Sequence, residues 1–258
     1  MNDKNFSLEN KSIMVTGAAQ GIGRAIADLA LTLGATVTAV DLNAGALEAF
    51  RDQAGKDRVL PMVGSVASAE FAQRAVDEAI AKFGALHGLV NNAGIIRPAM
   101  IENMKIEDWQ QVIDVHLSGS FYFLQAAGRH MLERSRAGDT TPSSIVNISS
   151  DAGRRGTIGQ INYCAAKAGL LGLTMGAARE WGKYNVRVNT VGFGVVVTPM
   201  TETIRSEKFA DTYRAQIPLA RWAEPLEVAR PVCFLLSEAA SYITGQHWSV
   251  NGGYTIGV

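Results

Sequence analysis

Apolar residues along the chain alternate between two rhythms. Short solid runs at 12–16, 37–40, 59–63 and 86–90, each bounded by Gly, Asn or Asp, predict strands buried on both faces. Between the first two runs, Ile22, Ile26, Leu29 and Leu33 fall on one helical face, and Gly34 supplies the stop. Residues 71–83 repeat that pattern, and a long segment from about 104 to 136 precedes another strand at 144–148. A helix through 163–182, a strand at 186–191, a helix around 226–236 and a last strand at 247–250 follow. This spacing predicts one doubly wound α/β domain spanning 1–258: a mostly parallel sheet, helices on both faces and right-handed crossovers. No repeat or Pro/Ser-rich linker divides the chain. Residues 137–142 read as a surface excursion, and 195–216, without clear periodicity, as a mobile substrate lid.

Composition narrows the function classes. The 24 basic and 24 acidic side chains cancel, which argues against the basic footprint of a nucleic-acid binder. With 47% hydrophobic and 19% charged residues the chain is not disordered. Cys164 and Cys233 are far apart and lack metal-ligand spacing, so they read as small apolar residues in a reducing compartment, with no metal. The first eleven residues hold no signal-peptide core, and no apolar run approaches the ~18 residues of a membrane helix. A cytoplasmic protein without membrane or nucleic-acid partners is expected.

Candidate chemistry begins at residues 16–23, Thr-Gly-Ala-Ala-Gln-Gly-Ile-Gly, directly after the first strand and opening the first helix. Gly17, Gln20, Gly21, Ile22 and Gly23 form a turn whose missing side chains let backbone approach a pyrophosphate, whose charge a helix N-terminus favours. The spacing is Gly-x3-Gly-x-Gly, so the strand–turn–helix context carries the reading more than the glycines do. Asp41, ending the second strand, can accept from both ribose hydroxyls and repels a 2′-phosphate. No cation follows at Leu42 or Asn43, so NAD is expected over NADP; a plain helix-capping role for Asp41 is the competing reading.

Tyr163 and Lys167 stand at i and i+4 on one helical face, thirteen residues after Ser150 near a strand end. A free phenol, with pKa about 10, is a poor base at neutrality. A cation at ~4 Å in an effective dielectric near 20 supplies roughly 4 kcal/mol, enough to lower that value by about three units. The phenolate then takes the proton of a secondary alcohol as hydride leaves its carbon, with Ser150 holding the oxygen.

Together these motifs resemble the short-chain dehydrogenase/reductase family over about residues 8–254. The resemblance rests on the 16–23 turn, Asn91-Asn92-Ala93-Gly94, Ser150, Tyr163 with Lys167, and the endings at 243–246 and 250–253. It implies a Rossmann-type fold, nicotinamide-dependent hydride transfer and a homotetramer. It further implies that Asn92, with Ala93 and Gly94, braces the sheet beside the cofactor. Lys167 is to contact the nicotinamide ribose, and Thr198 is to lie near the carboxamide.

The sequence departs from the family in three places. His116 stands where an asparagine usually holds a proton-relay water, and both a modified relay and simple helix packing remain open. Gly192-Phe193-Gly194 replaces a Pro-Gly pair, leaving Phe193 to cover the nicotinamide or turn into the core. Ser65-Val66 replaces an aspartate that meets adenine, a contact the serine hydroxyl can also make. Strand ends nominate Ile96, Arg97, Ala152, Arg155, Gln160, Phe193 and Met200 for the substrate, with the two arginines as partners for a carboxylate or hydroxyls. The expected activity is NAD-dependent oxidation of a small secondary alcohol (sugar alcohol, cyclic or hydroxy-acid type) or its reverse. The alternatives are a 3-oxoacyl-carrier-protein reductase and, from another class, an NAD-binding regulatory protein without turnover.

Overall fold

The structure, a computed structural model, describes residues 4–256. Seven parallel strands form one sheet in the order β3-β2-β1-β4-β5-β6-β7. They are β1 Ser12–Thr16, β2 Thr36–Asp41, β3 Val59–Val63, β4 Gly88–Asn91, β5 Ser143–Ser150, β6 Val186–Phe193 and β7 His247–Val250. Helices α1 Gly21–Thr32, α2 Ala44–Ala54 and α3 Ala69–Phe83 connect the first four strands. Next, α4 Ile106–Ile113 runs through a π turn at Asp114–Ser118 into α5 Gly119–Arg136. The short α6 Ala152–Arg155 and the long α7 Ile161–Trp181 follow β5. After β6 come α8 Glu202–Arg205, α9 Ala210–Arg214 and α10 Pro225–Leu236.

The solid apolar runs of the central strands are explained by burial from both sides. In β1, Ile13 and Val15 enter a core with α1 and α10, while Met14 enters the opposite core with α3 and α5. Among the described residues, no helix is long and apolar enough to cross a membrane.

Several boundaries differ from the sequence expectation. The fourth strand starts at Gly88, not Leu86, because the Leu86 backbone is taken by side chains: its N–H donates to His130 Nε2 and its carbonyl accepts from Arg134. β5 and β6 run on to Ser150 and Phe193, which pair with each other. Helix α2, foreseen only as a helix that Asp41 could cap, buries just Leu47 and Phe50 and is secured by its Asn43 cap. The 195–216 stretch holds α8 and α9, with Arg205 tied to the Thr198 carbonyl at 3.0 Å and to Thr201 Oγ1 at 3.2 Å.

The sheet end opposite the cleft depends on neutral imidazoles. His87 Nδ1 accepts from Ser12 N–H, and His130 Nε2 from Leu86 N–H, both at 3.1 Å. Burial, then the Arg134 charge, pushes His87 down to about 4, and the same causes lower His130. His116 and His247 are lowered by burial as well, so all four histidines shift the same way. The unfolded chain, with histidines near 6.5, therefore binds more protons than the folded one below that value. The histidine contribution to stability is full above about pH 6.5 and falls on acidification toward about pH 4, where His87 itself protonates. Urea unfolding at pH 7 and pH 5, a window above most carboxylate titration, is expected to show a lower midpoint at pH 5. Equal midpoints would contradict this.

Candidate active site

The turn after β1 is compact because side chains are missing. Gly17 has φ +67°, and a methyl on Gly23 would sit 2.1 Å from the Gly17 oxygen and 2.5 Å from Asn92 Nδ2. Asn92 Nδ2 donates to the Thr16 carbonyl at 2.9 Å, and the Thr16 hydroxyl accepts from the N–H groups of Asn92 and Ala93 at 2.9 and 3.0 Å. The gap between β1 and β4, where the chain's winding reverses, is thereby braced. Helices α2 and α3 start with capping side chains, Asn43 and Ser68, but α1 starts at Gln20 with none. Its first N–H groups lie on a cleft of about 370 Å³ across the C-terminal ends of the strands.

All the cofactor-side residues read from the sequence line this cleft: the turn residues Gly17, Gln20, Gly21, Ile22 and Gly23, then Asp41, Ser65, Val66, Asn92, Ala93, Gly94 and Thr198. Asp41 does not cap α2, since Asn43 does; its two oxygens accept from Ala19 N–H at 3.0 Å and Asn43 N–H at 3.1 Å. The negative charge is thus anchored on the turn itself. Arg24 is drawn away, bonded to Asp28 and Gln53 and lying 4.1 Å over the Phe50 ring. Lys167 is the one Lys or Arg among the described lining residues.

At the other end, Ser150, Tyr163 and Lys167 meet on the same cleft. The Ser150 hydroxyl accepts from Ala152 N–H at 3.2 Å and hydrogen bonds to the Tyr163 phenol. The buried Lys167 ammonium, however, donates to the Ile148 carbonyl at 2.6 Å and lies 5.5 Å from the Tyr163 ring centroid. The expected acidic phenol is therefore not found. Burial raises Tyr163 to about 12, against the Ser150 hydrogen bond, and burial lowers Lys167 to about 7. The i,i+4 spacing puts the two groups on one face. It does not aim the ammonium at the phenol oxygen, and a lysine near 7 carries only part of its charge at neutrality.

His116 sits in the π turn, buried, with its ring edge-on to Tyr163 at 5.1 Å. Its Nε2 is 2.7 Å from the Ile95 carbonyl and 3.0 Å from the Ile95 N–H, so one nitrogen either donates or accepts there, and Nδ1 has no protein partner. A methyl on Gly94 would lie 2.3 Å from His116 Cε1, so the glycine makes room for the ring. Burial, then the Lys167 charge, lowers His116 to about 3. The ring is neutral near pH 7.

The substrate nominations fare unevenly. Phe193 and Met200 line the cleft, whereas Ile96, Arg97, Ala152, Arg155 and Gln160 do not. Arg97 donates to the Ile96 carbonyl and pairs with Asp108 at 3.8 Å. Arg155 donates to Tyr254 Oη at 2.7 Å and stacks 3.9 Å over that ring. Gln160 starts α7 in a bridge with Ala99. Phe193 is core-packed yet still contributes to the wall. Sequence reasoning missed Ile95, Val115, Val196 and Thr201 on the lining, and it missed Asn162. Fully buried Asn162 accepts from Tyr163 N–H at 2.8 Å and donates to the carbonyls of Arg97 and Asp108 at 3.0 and 3.3 Å, fastening Tyr163 to the 97–108 segment. Its place immediately before Tyr163 was the available signal.

The family described as Enoyl-(Acyl carrier protein) reductase matches residues 17–255. The chain is 41% identical over 251 residues to a protein named 3-oxoacyl-[acyl-carrier-protein] reductase FabG from Thermotoga maritima, covering 96% of this chain and 99% of the relative. It is also 41% identical over 256 residues to D-threitol dehydrogenase of Mycolicibacterium smegmatis, covering 98% and 96%. A crystal structure of a short-chain type dehydrogenase/reductase from Mycobacterium marinum superposes with a TM-score of 0.91 at 28% identity, covering 98% of this chain and 99% of that one. The seven-stranded parallel sheet, the braced glycine turn and these likenesses agree: the protein belongs to the short-chain dehydrogenase/reductase family, NAD(P)-dependent oxidoreductases acting on hydroxyl and keto groups.

Proposed function

We propose that the protein oxidises a small secondary alcohol, or reduces the corresponding ketone, with NAD, and that Tyr163 moves the hydroxyl proton. The observation that carries this is the convergence of Ser150, Tyr163 and Lys167 at one end of a cleft whose other end has an uncapped helix start and a fixed carboxylate. These residues fit a dinucleotide. The α1 N–H groups suit a pyrophosphate, the side-chain-free turn gives it room, and Asp41 suits ribose hydroxyls. When bound, the nicotinamide supplies the hydride acceptor or donor. Asp41, the diverted Arg24 and a lining without other cations favour NAD over NADP. Ser150 holds the substrate oxygen, and Tyr163 exchanges a proton with it.

In the free protein the phenol keeps its proton and Lys167 is partly discharged. Positive charge brought into the cleft by an oxidised pyridinium favours the phenolate, so ionisation is coupled to loading. Neutral His116, with Nε2 held by the Ile95 backbone, offers its unpartnered Nδ1 as one hydrogen-bonding position for a relay water. The 195–216 segment acts as a lid. The protein is read as a cytoplasmic homotetramer, supported by exposed Phe121 and Met175 on the adjoining helices α5 and α7. A light-scattering mass of four chains checks the assembly.

Tyr163→Phe is expected to lower kcat about 10²–10⁴-fold with NAD affinity nearly unchanged. His116→Asn, which retains a donor and an acceptor, is expected to keep activity within roughly tenfold. A Tyr163→Phe enzyme at the wild-type rate would refute the proton-transfer role. No turnover by the wild type on a broad panel of alcohols and ketones would favour the regulatory reading. Asp41→Ala is expected to shift the NAD-to-NADP ratio of kcat/KM by about tenfold or more toward NADP, equivalent to roughly 1.4 kcal/mol. An unaltered ratio would leave Asp41 as a brace for the turn alone.

A further inference from the structure

Strands β5, β6 and β7 end level with one another: Ser150 pairs with Phe193, and Phe193 pairs with Val250. The residues just beyond them are Asp151, Gly194 and Asn251. β5 and β7 are not neighbours, and with β6 between them they lie roughly 10 Å apart. Asn251 nevertheless donates from Nδ2 to Asp151 Oδ1 at 2.8 Å, and both side chains are buried. Gly194 permits the crossing. A methyl on it would meet Asn251 Cα and Cβ at 3.0 Å, so a side chain at the end of β6 would obstruct the bridge.

Asp151 also fixes the turn that carries Ser150. Its N–H donates to the Phe193 carbonyl at 3.1 Å, and its carbonyl accepts from the N–H groups of Arg154 and Arg155, each at 3.0 Å. Inside that turn lies Ala152, whose N–H donates to the Ser150 hydroxyl at 3.2 Å. A tilt of Asp151 therefore moves the donor that orients Ser150. Burial holds the Asp151 carboxyl above its usual range, against the Asn251 hydrogen bond and the charges of Arg155 and Arg154. Without the Asn251 amide that buried carboxyl would be short of a donor, so the two side chains act as a unit.

From Asn251 the link runs on to the chain that follows the 195–216 segment. Gly252 and Gly253 take φ +67° and +90°, and methyls on them would meet Ile217 Cγ2 at 2.9 Å and Pro218 Cγ at 2.7 Å. The Gly252 carbonyl accepts from Leu219 N–H at 3.1 Å, and Gly253 N–H donates to Asn251 Oδ1 at 3.0 Å. Tyr254 Oη then accepts from Arg155 at 2.7 Å, which closes the tail back onto α6. A cavity of about 230 Å³, walled by Val195, Ile217, Leu219, Val228 and Val250, gives residues 217–219 room to shift.

We propose that Asp151 and Asn251 are positioning residues for the Ser150 hydroxyl, joined through the 251–254 tail to the 217–219 end of the lid. Seating of 217–219 on the tail sets Asn251, Asn251 sets Asp151, and Asp151 sets the Ala152 N–H and with it Ser150. This rests on the dehydrogenase reading above and names what holds its serine in place.

The test uses the full chain with NAD and the panel of alcohols and ketones, reading kcat and KM from the absorbance of reduced cofactor and NAD affinity by fluorescence. Asp151→Ala is expected to lower kcat roughly 10- to 100-fold, the cost of a small misplacement, with NAD affinity within about twofold. In a Ser150→Ala background the same change is expected to cost less than about twofold, because the group it positions is gone. Asn251→Asp, which sets carboxylate against carboxylate, is expected to lower kcat comparably. Adding Asp151→Asn to it restores one donor and one acceptor and is expected to recover most of the loss. That pair decides the matter should Asp151→Ala fail to fold. Hydrogen exchange at the Leu219 amide is expected to quicken in Asn251→Asp and to slow again in the double variant. An Asp151→Ala loss of the same size with and without Ser150, an Asn251→Asp loss that the second change leaves in place, or unaltered Leu219 exchange overturns this proposal and leaves the dehydrogenase reading intact. Absence of wild-type turnover on the whole panel overturns both.

Discussion

A single buried ammonium group governs the chemistry this fold can offer. Lys167 lies between the end of β5 and the phenol on its own helix, and in the free protein it donates a hydrogen bond to the Ile148 carbonyl. Every group around it responds. Tyr163 lacks a full positive charge at its oxygen, so burial dominates and raises it, and His116 feels burial first and the lysine second. Cleft polarity is thus set by a charge that the protein holds in reserve. On the proposed reading the free site is quiet, and it becomes basic only when a ligand changes the balance among these three side chains.

The scaffold explains how that charge is kept in place. β5 extends two residues past its apolar run to pair Ser150 with Phe193, which puts Ser150 at the cleft. The Ser149 hydroxyl donates to the Lys167 carbonyl at 2.8 Å, joining α7 to the same strand. A buried polar ladder from Asn91 through Asn147 and Thr174 to Thr190 crosses the sheet beneath, with every step within 2.5–2.9 Å. Asn162 ties the start of α7 to the segment beyond β4. Such a network, satisfied along its length, fixes geometry more tightly than apolar packing does.

What was readable in the sequence follows from how each feature is encoded. Short apolar runs set between turn residues mark strands in the centre of the sheet and at its edges alike, so β1, β3 and β7 were found with their limits. The glycine turn and Asp41 were legible because backbone approach and charge belong to residue types at fixed offsets. Ser150, Tyr163 and Lys167 were placed together by topology and helical spacing. Side-chain direction was not legible. Nothing in the sequence pairs Arg155 with Tyr254, ninety-nine positions away, or points the Lys167 ammonium at the Ile148 carbonyl. The extent of helix α2 was not legible because only Leu47 and Phe50 face inward, and the start of β4 moved because His130, on a distant helix, takes the Leu86 N–H.

The central claim is that Tyr163 stays protonated in the free protein and ionises near neutrality only when oxidised cofactor is bound. Ultraviolet difference titration of phenolate, comparing wild type with a variant lacking the Tyr163 hydroxyl, reads this directly. The account predicts no Tyr163 phenolate below about pH 10 in the free protein, and its appearance at lower pH once NAD is added. A Tyr163 phenolate near pH 7 without cofactor would contradict it.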